Sequence, residues 1–263
     1  MSERTSNTMH YAKHMLTKVP EITAYFWIIK VLSTGMGEVT SDYLAKHMNP
    51  VIAVVLTGIS LVVSLVIQFS VNQYVAWIYW LNVVIVSIFG TMAADVLHVG
   101  FGIPYIVSTL FFLVVLIIIF SIWYISEKTL SIHSIYTFRR ELFYWAVILA
   151  TFALGTAAGD MTASTMHLGY FFSGILFSLL IAVPALAYLL LELNEIFAFW
   201  FAYIVTRPLG ASLADWAGMS HSRGGLGLGT GSVSLGLTII ILGLVAYMMV
   251  TRKDIRDSEY STS

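Results

Sequence analysis

Residues 26–42 read FWIIKVLSTGMGEVTSD: the aromatic pair Phe26-Trp27, then Gly37 ten residues after the Trp, then Asp42 five residues later. The same spacing returns in YWLNVVIVSIFGTMAAD (79–95), YWAVILATFALGTAAGD (144–160) and FWFAYIVTRPLGASLAD (199–215). Four of the seven Trp and four of the six Asp obey it, which rules out coincidence. The other two Asp, Asp254 and Asp257, lie near the C-terminal end. The chain is therefore a tandem repeat, and chemistry is expected where four equivalent carboxylates converge.

Composition sets the class. Of 263 residues, 59% are hydrophobic and only 10% charged, with a mean hydropathy of +0.87. Soluble domains carry about 25% charged residues, so this is read as a multi-pass membrane protein. No cysteine is present, which removes disulfides and thiolate ligands. No basic run points to nucleic acid, and the net charge of −1 is uninformative. The polar first eighteen residues are expected to form a cytoplasmic tail with no cleaved signal.

Eight apolar stretches approach the ~20 residues that a bilayer requires: 21–44, 51–70, 75–97, 104–125, 142–161, 168–191, 195–217 and 232–250. Each repeat is thus a pair of helices, with the Trp–Gly–Asp pattern on the odd member. The expected organisation is a tail (1–18), a single eight-helix domain (19–250) and a second tail (251–263). The repeats fall at about 19–72, 73–126, 138–191 and 192–250. An N-terminus inside puts Arg4, Lys13, Lys18, Lys128, Arg139, Arg140, Arg252, Lys253 and Arg256 on the cytoplasmic side. Lys46 and Arg223 fall opposite, so the basic excess favours both termini inside. Every odd helix then runs outward, and each Asp lies about 22 Å beyond its Trp. Two spans per unit make all four units parallel, related by an axis along the membrane normal.

Charged groups at bilayer depth cost about 2.5–3.5 kcal/mol on insertion scales, so they should face a cavity or a partner. Asp42, Asp95, Asp160 and Asp215 at one level would repel one another unless a cation, shared protons or basic groups intervene. Four residues before them, on nearly the same face, stand Glu38, Thr91, Thr156 and Ala211. These carboxylates, Glu38 included, are the candidate cation or proton ligands; a capping role for each Asp is the bland alternative. His47, His98, His167 and His221 follow the four Asp at irregular distances and are candidate metal ligands, His98 and His167 foremost. Carboxylate with imidazole suits Mn, Fe, Co, Ni or Zn, and the nearby Met36, Met48, Met92, Met161, Met166 and Met219 offer thioethers. Interfacial loop roles for the His and packing for the Met stand against that.

The remaining repeated residues read as structural. Gly37, Gly90, Gly155 and Gly210 permit close helix contact. Trp27, Trp80, Trp145 and Trp200 bury large area or gate the inner mouth. Lys30 and Arg207 break the symmetry as charge partners or gates. Arg207 either pairs with Glu38 or an Asp, or belongs to a helix interrupted at Pro208, since Pro lacks a backbone donor. The Gly-rich stretch 223–231 lacks the context of a phosphate loop and reads as an outer loop or lid.

The run Lys18-Val-Pro-Glu-Ile-Thr-Ala-Tyr-Phe-Trp-Ile-Ile-Lys30, the following Gly35-Met-Gly-Glu-Val-Thr-Ser-Asp42 and the four two-helix units carry a resemblance. Over about 19–250 the chain resembles an uncharacterised bacterial membrane-protein family built from tandem repeats of unknown function. The resemblance implies repeat architecture and the bacterial inner membrane, and no activity.

The expected fold is an all-α integral membrane bundle of eight transmembrane helices in four parallel repeats. The expected function is transport of a cation, a divalent transition metal first, with protons as coupling ion or cargo. A bound divalent metal ion is the one cofactor considered. The bilayer and the cation are the expected partners, with self-association into a homo-oligomer left open. A non-transporting membrane sensor or assembly protein is one alternative. An intramembrane enzyme is disfavoured, because no Ser/His or HExxH arrangement occurs.

Overall fold

A computed structural model describes residues 17–191 and 193–254. Eight long helices follow in order: α1 (Ala24–His47), α2 (Pro50–Ser70), α3 (Ala76–Asp95), α4 (Tyr105–Glu127), α5 (Phe138–Asp160), α6 (Gly169–Leu191), α7 (Glu195–Gly218) and α8 (Thr230–Thr251). Local chemistry explains several starts. Thr23, Asn49, Thr137 and Asn194 each accept a backbone N–H of the first turn, and Pro50 opens α2 where no donor is needed. Lys128 and Arg252 close α4 and α8 in the left-handed region, at φ 56° and 53°. Directly after Asp95 and Asp160 the backbone widens into single π turns, Val96–Gly100 and Met161–Thr165. The helix ends carrying Asp42 and Asp215 have no such turn.

Seven of the helices are long and apolar enough to cross a membrane; α1, interrupted by Lys30, Glu38, Asp42 and Lys46, is not among them. The odd helices form a closed ring, with α1 on α3, α3 on α5, α5 on α7 and α7 on α1. Each even helix packs on the next repeat's odd helix: α2 on α3, α4 on α5, α6 on α7, and α8 back on α1. Burial of one unit thus depends on its successor, and the last closes on the first.

The repeated glycines make the ring tight. A β-carbon on Gly90 of α3 would lie 2.6 Å from Phe152 Cβ on α5. On Gly37 it would strike Ser87, on Gly155 Arg207, and on Gly210 Thr34. Each of these neighbours sits three residues before the glycine of the next helix in the ring. One contact is therefore made four times, cyclically, and only a residue without a side chain admits it.

Candidate cation site on the helix-ring axis

Stepping by four from the aromatic before each Trp gives five registers on one slowly drifting helix face. The first holds Phe26, Tyr79, Tyr144 and Phe199, all buried. Tyr79 and Tyr144 share a hydroxyl–hydroxyl hydrogen bond of 2.5 Å, and the Phe26 and Phe199 rings lie 6.2 Å apart. The second holds Lys30, Val83, Ile148 and Tyr203, again fully buried. Lys30 Nζ lies 4.1 Å from the Tyr203 ring centre and 4.2 Å from that of Phe152, with no hydrogen-bond partner. It pairs with two π faces rather than with a carboxylate.

The third register, Thr34, Ser87, Phe152 and Arg207, delivers a guanidinium to the fourth, Glu38, Thr91, Thr156 and Ala211. Arg207 Nη2 donates to Glu38 Oε2 at 2.7 Å, to Thr156 Oγ1 at 2.7 Å and to Thr91 Oγ1. Its Nη1 donates to the Thr34 carbonyl at 3.2 Å. Of the two readings of Arg207, ion pairing with Glu38 is the one found. A fully buried ion pair repays its desolvation only with such additional hydrogen bonds, and here they come from three helices.

The fifth register is the carboxylate ring, and its members differ. Asp42 turns outward to Lys46, at 2.8 Å on an exposed face. Asp95 accepts from Ser41 Oγ at 3.4 Å. Asp160 and Asp215 join Glu38, one oxygen of each lying within 4.8 Å of the others. Asp215 is only 4% exposed, and its Oδ1 has no hydrogen-bond partner. Among the described residues none of Asp95, Asp160 and Asp215 has an ion-pair partner. Uncompensated charge of this kind is expensive in a buried setting.

The candidate histidines are not brought into this group. His98 is buried, meets Ser108 Oγ at 3.1 Å and leans on Tyr105. His47 stacks on Tyr43, and His221 Nδ1 meets the Gly225 carbonyl at 3.0 Å. His167 is exposed, at φ 56° after a π turn. The repeat Trp residues pack: Trp80, Trp145 and Trp200 are buried, and Trp27 is partly so. The expected interruption at Pro208 is corrected, because α7 runs unbroken from Glu195 to Gly218. Gly155 and Gly159 face Arg207 and Pro208 and let α5 pass close to the ring, while α7 continues despite the donor that proline lacks.

A second polar cluster, at the opposite end of the ring, lay outside the sequence expectations. Lys18 Nζ pairs with Glu141 Oε2 at 2.6 Å, and Gln68 Nε2 donates to Glu141 Oε1 at 2.8 Å, all three residues being buried. Nearby, Tyr74 Oη donates to Asp254 Oδ2 at 2.7 Å. Burial and the Asp254 carboxylate push the Tyr74 phenol well above its ordinary range, so it stays a donor. Glu141, an acid in the first turn of α5, was the one available signal. Of the basic residues used for orientation, Arg4, Lys13 and Arg256 lie outside the described residues.

No curated protein and no solved structure matches the chain significantly. One family model does, four times in tandem, over residues 25–74, 78–129, 143–194 and 198–254. These matches cover most of the chain and follow the helix pairs closely, so the protein belongs to the family described as Repeat of Unknown Function, DUF347.

Proposed function

We propose that this chain is a multi-pass membrane transporter that carries a cation along the axis of the inner helix ring. A divalent metal ion is the first choice of cargo, with protons as coupling ion or cargo. The reading places all eight helices across a bacterial inner membrane, with both termini cytoplasmic and the Asp register facing out. The carrying observation is Asp215, a buried carboxylate with an unpartnered oxygen, grouped with Asp160 and Glu38. Charge counting supports it. Arg207 neutralises Glu38 and Lys46 neutralises Asp42. Asp95, Asp160 and Asp215 remain without an ion-pair partner, and two of them, Asp160 and Asp215, stand in the group with Glu38 and offer two negative charges to a divalent ion.

The rest of the axis suits a carrier rather than an open pore. Asp160 and Asp95 are half-buried, whereas the two registers nearest the opposite end are closed by aromatic and aliphatic side chains together with the buried Lys30. Passage then requires the ring to rearrange, as in alternating access. Purified protein in liposomes loaded with metal- and pH-sensitive dyes tests this. Wild type should move cation, and D215N and D160N should lose flux while remaining folded, since Asn keeps the shape without the charge. Flux per folded molecule unchanged in both variants would remove the carboxylate site as the transport element and favour the sensor or assembly reading.

A further inference from the structure

We infer that the axial site binds its ion through oxygen alone and therefore takes a hard divalent cation of the Mg²⁺ and Mn²⁺ type; the inference rests on the transport reading above. The donors within reach are carboxylates and hydroxyls. Glu38, Asp160 and Asp215 each place an oxygen within 4.8 Å of the others, and Asp215 Oδ1 has no partner of its own. Thr91 and Thr156 Oγ1 lie 3.5 and 3.4 Å from Glu38 Oε2, while held by Arg207.

Three of the six candidate thioethers are engaged elsewhere. Met36 Sδ lies 3.5 Å from Thr40 Oγ1, Met92 Sδ lies 3.4 Å from Thr57 Oγ1, and Met219 Sδ accepts from Arg223 at 3.5 Å. His47 and His221 meet backbone carbonyls through Nδ1, and neither ring joins the oxygen group. His98 keeps a buried Nε2 without a partner, but no oxygen group includes it. Nitrogen and sulfur donors are what let a site hold Zn, Ni or Cu and reject Mg²⁺; a carboxylate and water set accepts Mg²⁺, Ca²⁺ and Mn²⁺. Mg²⁺ retains several waters when bound by one or two carboxylates, and the half-exposed Asp160 leaves room for them.

Mn²⁺ titration of the full-length protein in detergent, followed by electron paramagnetic resonance, reads the site without transport. One Mn²⁺ per chain is expected, with no nitrogen modulation in pulsed spectra and displacement by Mg²⁺ at concentrations within about a hundredfold of the Mn²⁺ constant. D215N should weaken Mn²⁺ binding at least about tenfold, the scale of one lost charged ligand. D160N serves if D215N fails to fold. Nitrogen coupling, which would implicate His98, or Mn²⁺ that Mg²⁺ cannot displace, overturns the oxygen-only assignment and leaves transport standing. Proton flux sensitive to D215N without any Mn²⁺ binding does the same. Oxygen-bound Mn²⁺ in a protein that moves no cation upholds the site and overturns the transport reading.

Discussion

The inner and outer helices of each repeat invert the usual relation between hydropathy and burial. Outer α2, α4, α6 and α8 have mean hydropathies of 2.6, 2.9, 2.1 and 2.4, yet only 17–28% of their apolar windows are buried. Inner α3, α5 and α7 are less apolar, at 1.8, 1.7 and 1.4, and 44–72% buried. In water the more apolar helix goes inside. Here the exposed Val, Ile and Leu of the outer ring suit hydrocarbon, and the inner ring holds polar side chains of which Arg207, Glu38, Thr91 and Thr156 satisfy one another. The two helices of each unit divide the work: one turns an apolar face outward, the other builds the axis.

That division breaks first at Arg207. Arg207→Met leaves Glu38 buried without its cation, and about 3–5 kcal/mol of stability should be lost. Thermal unfolding in detergent measures it. Pairing R207M with E38Q removes the orphaned charge, so the double variant should recover much of the loss. A double variant as unstable as R207M alone would mean that the guanidinium acts through its threonine contacts and not through Glu38.

How much of this was legible beforehand depends on what each feature needs. The Trp–Gly–Asp spacing lies along a single helix, so the repeat and the carboxylate register could be read directly. The ring order could not, because it requires knowing that Gly37 meets Ser87 and Gly210 meets Thr34 across the bundle. Arg207 lies one register below Glu38, so a pair between them was in view, though not its threonine cradle. Pro208 misled because a missing donor need not end a helix that its neighbours hold on both sides of the proline. His47, His98, His167 and His221 follow the Asp in sequence, but His47 ends α1 off the Asp42 face, and the π turns and loops carry the other three away from the carboxylates. Lys18 and Glu141 are 123 residues apart, and nothing local joins them.

The glycine contacts offer the next largest effect. Gly90→Ala should cost about 1–3 kcal/mol, the usual penalty for overfilling a packed site, because Phe152 Cβ is backbone-anchored and cannot swing away. Equivalent costs are expected at Gly37, and a tolerant Gly90 would show that the ring is looser than drawn. Tyr79→Phe is milder. It removes the hydroxyl bond to Tyr144 within the aromatic register, worth about 1 kcal/mol. If the closed inner end limits transport, Y79F should also change flux per folded molecule, whereas a purely structural bond predicts lower stability alone.

The smallest effect belongs to the outer ring and should have the opposite sign. Gly236 and Gly243 of α8 are exposed, and a β-carbon on either meets nothing within 4 Å. Alanine there loses no contact and removes the entropic penalty of glycine in a helix, so a gain of about 0.5–1 kcal/mol is expected. Comparison with Gly90→Ala in the same unfolding assay cancels detergent effects common to both. A cost at Gly236 similar to that at Gly90 would mean that a neighbouring helix covers this face of α8. Because no other described residue reaches it, a helix from a second copy is then the expected cover, and the outer ring would be an assembly surface. Cross-linking through cysteines introduced at position 236, in a chain with no native cysteine to interfere, would separate that outcome from simple strain in α8.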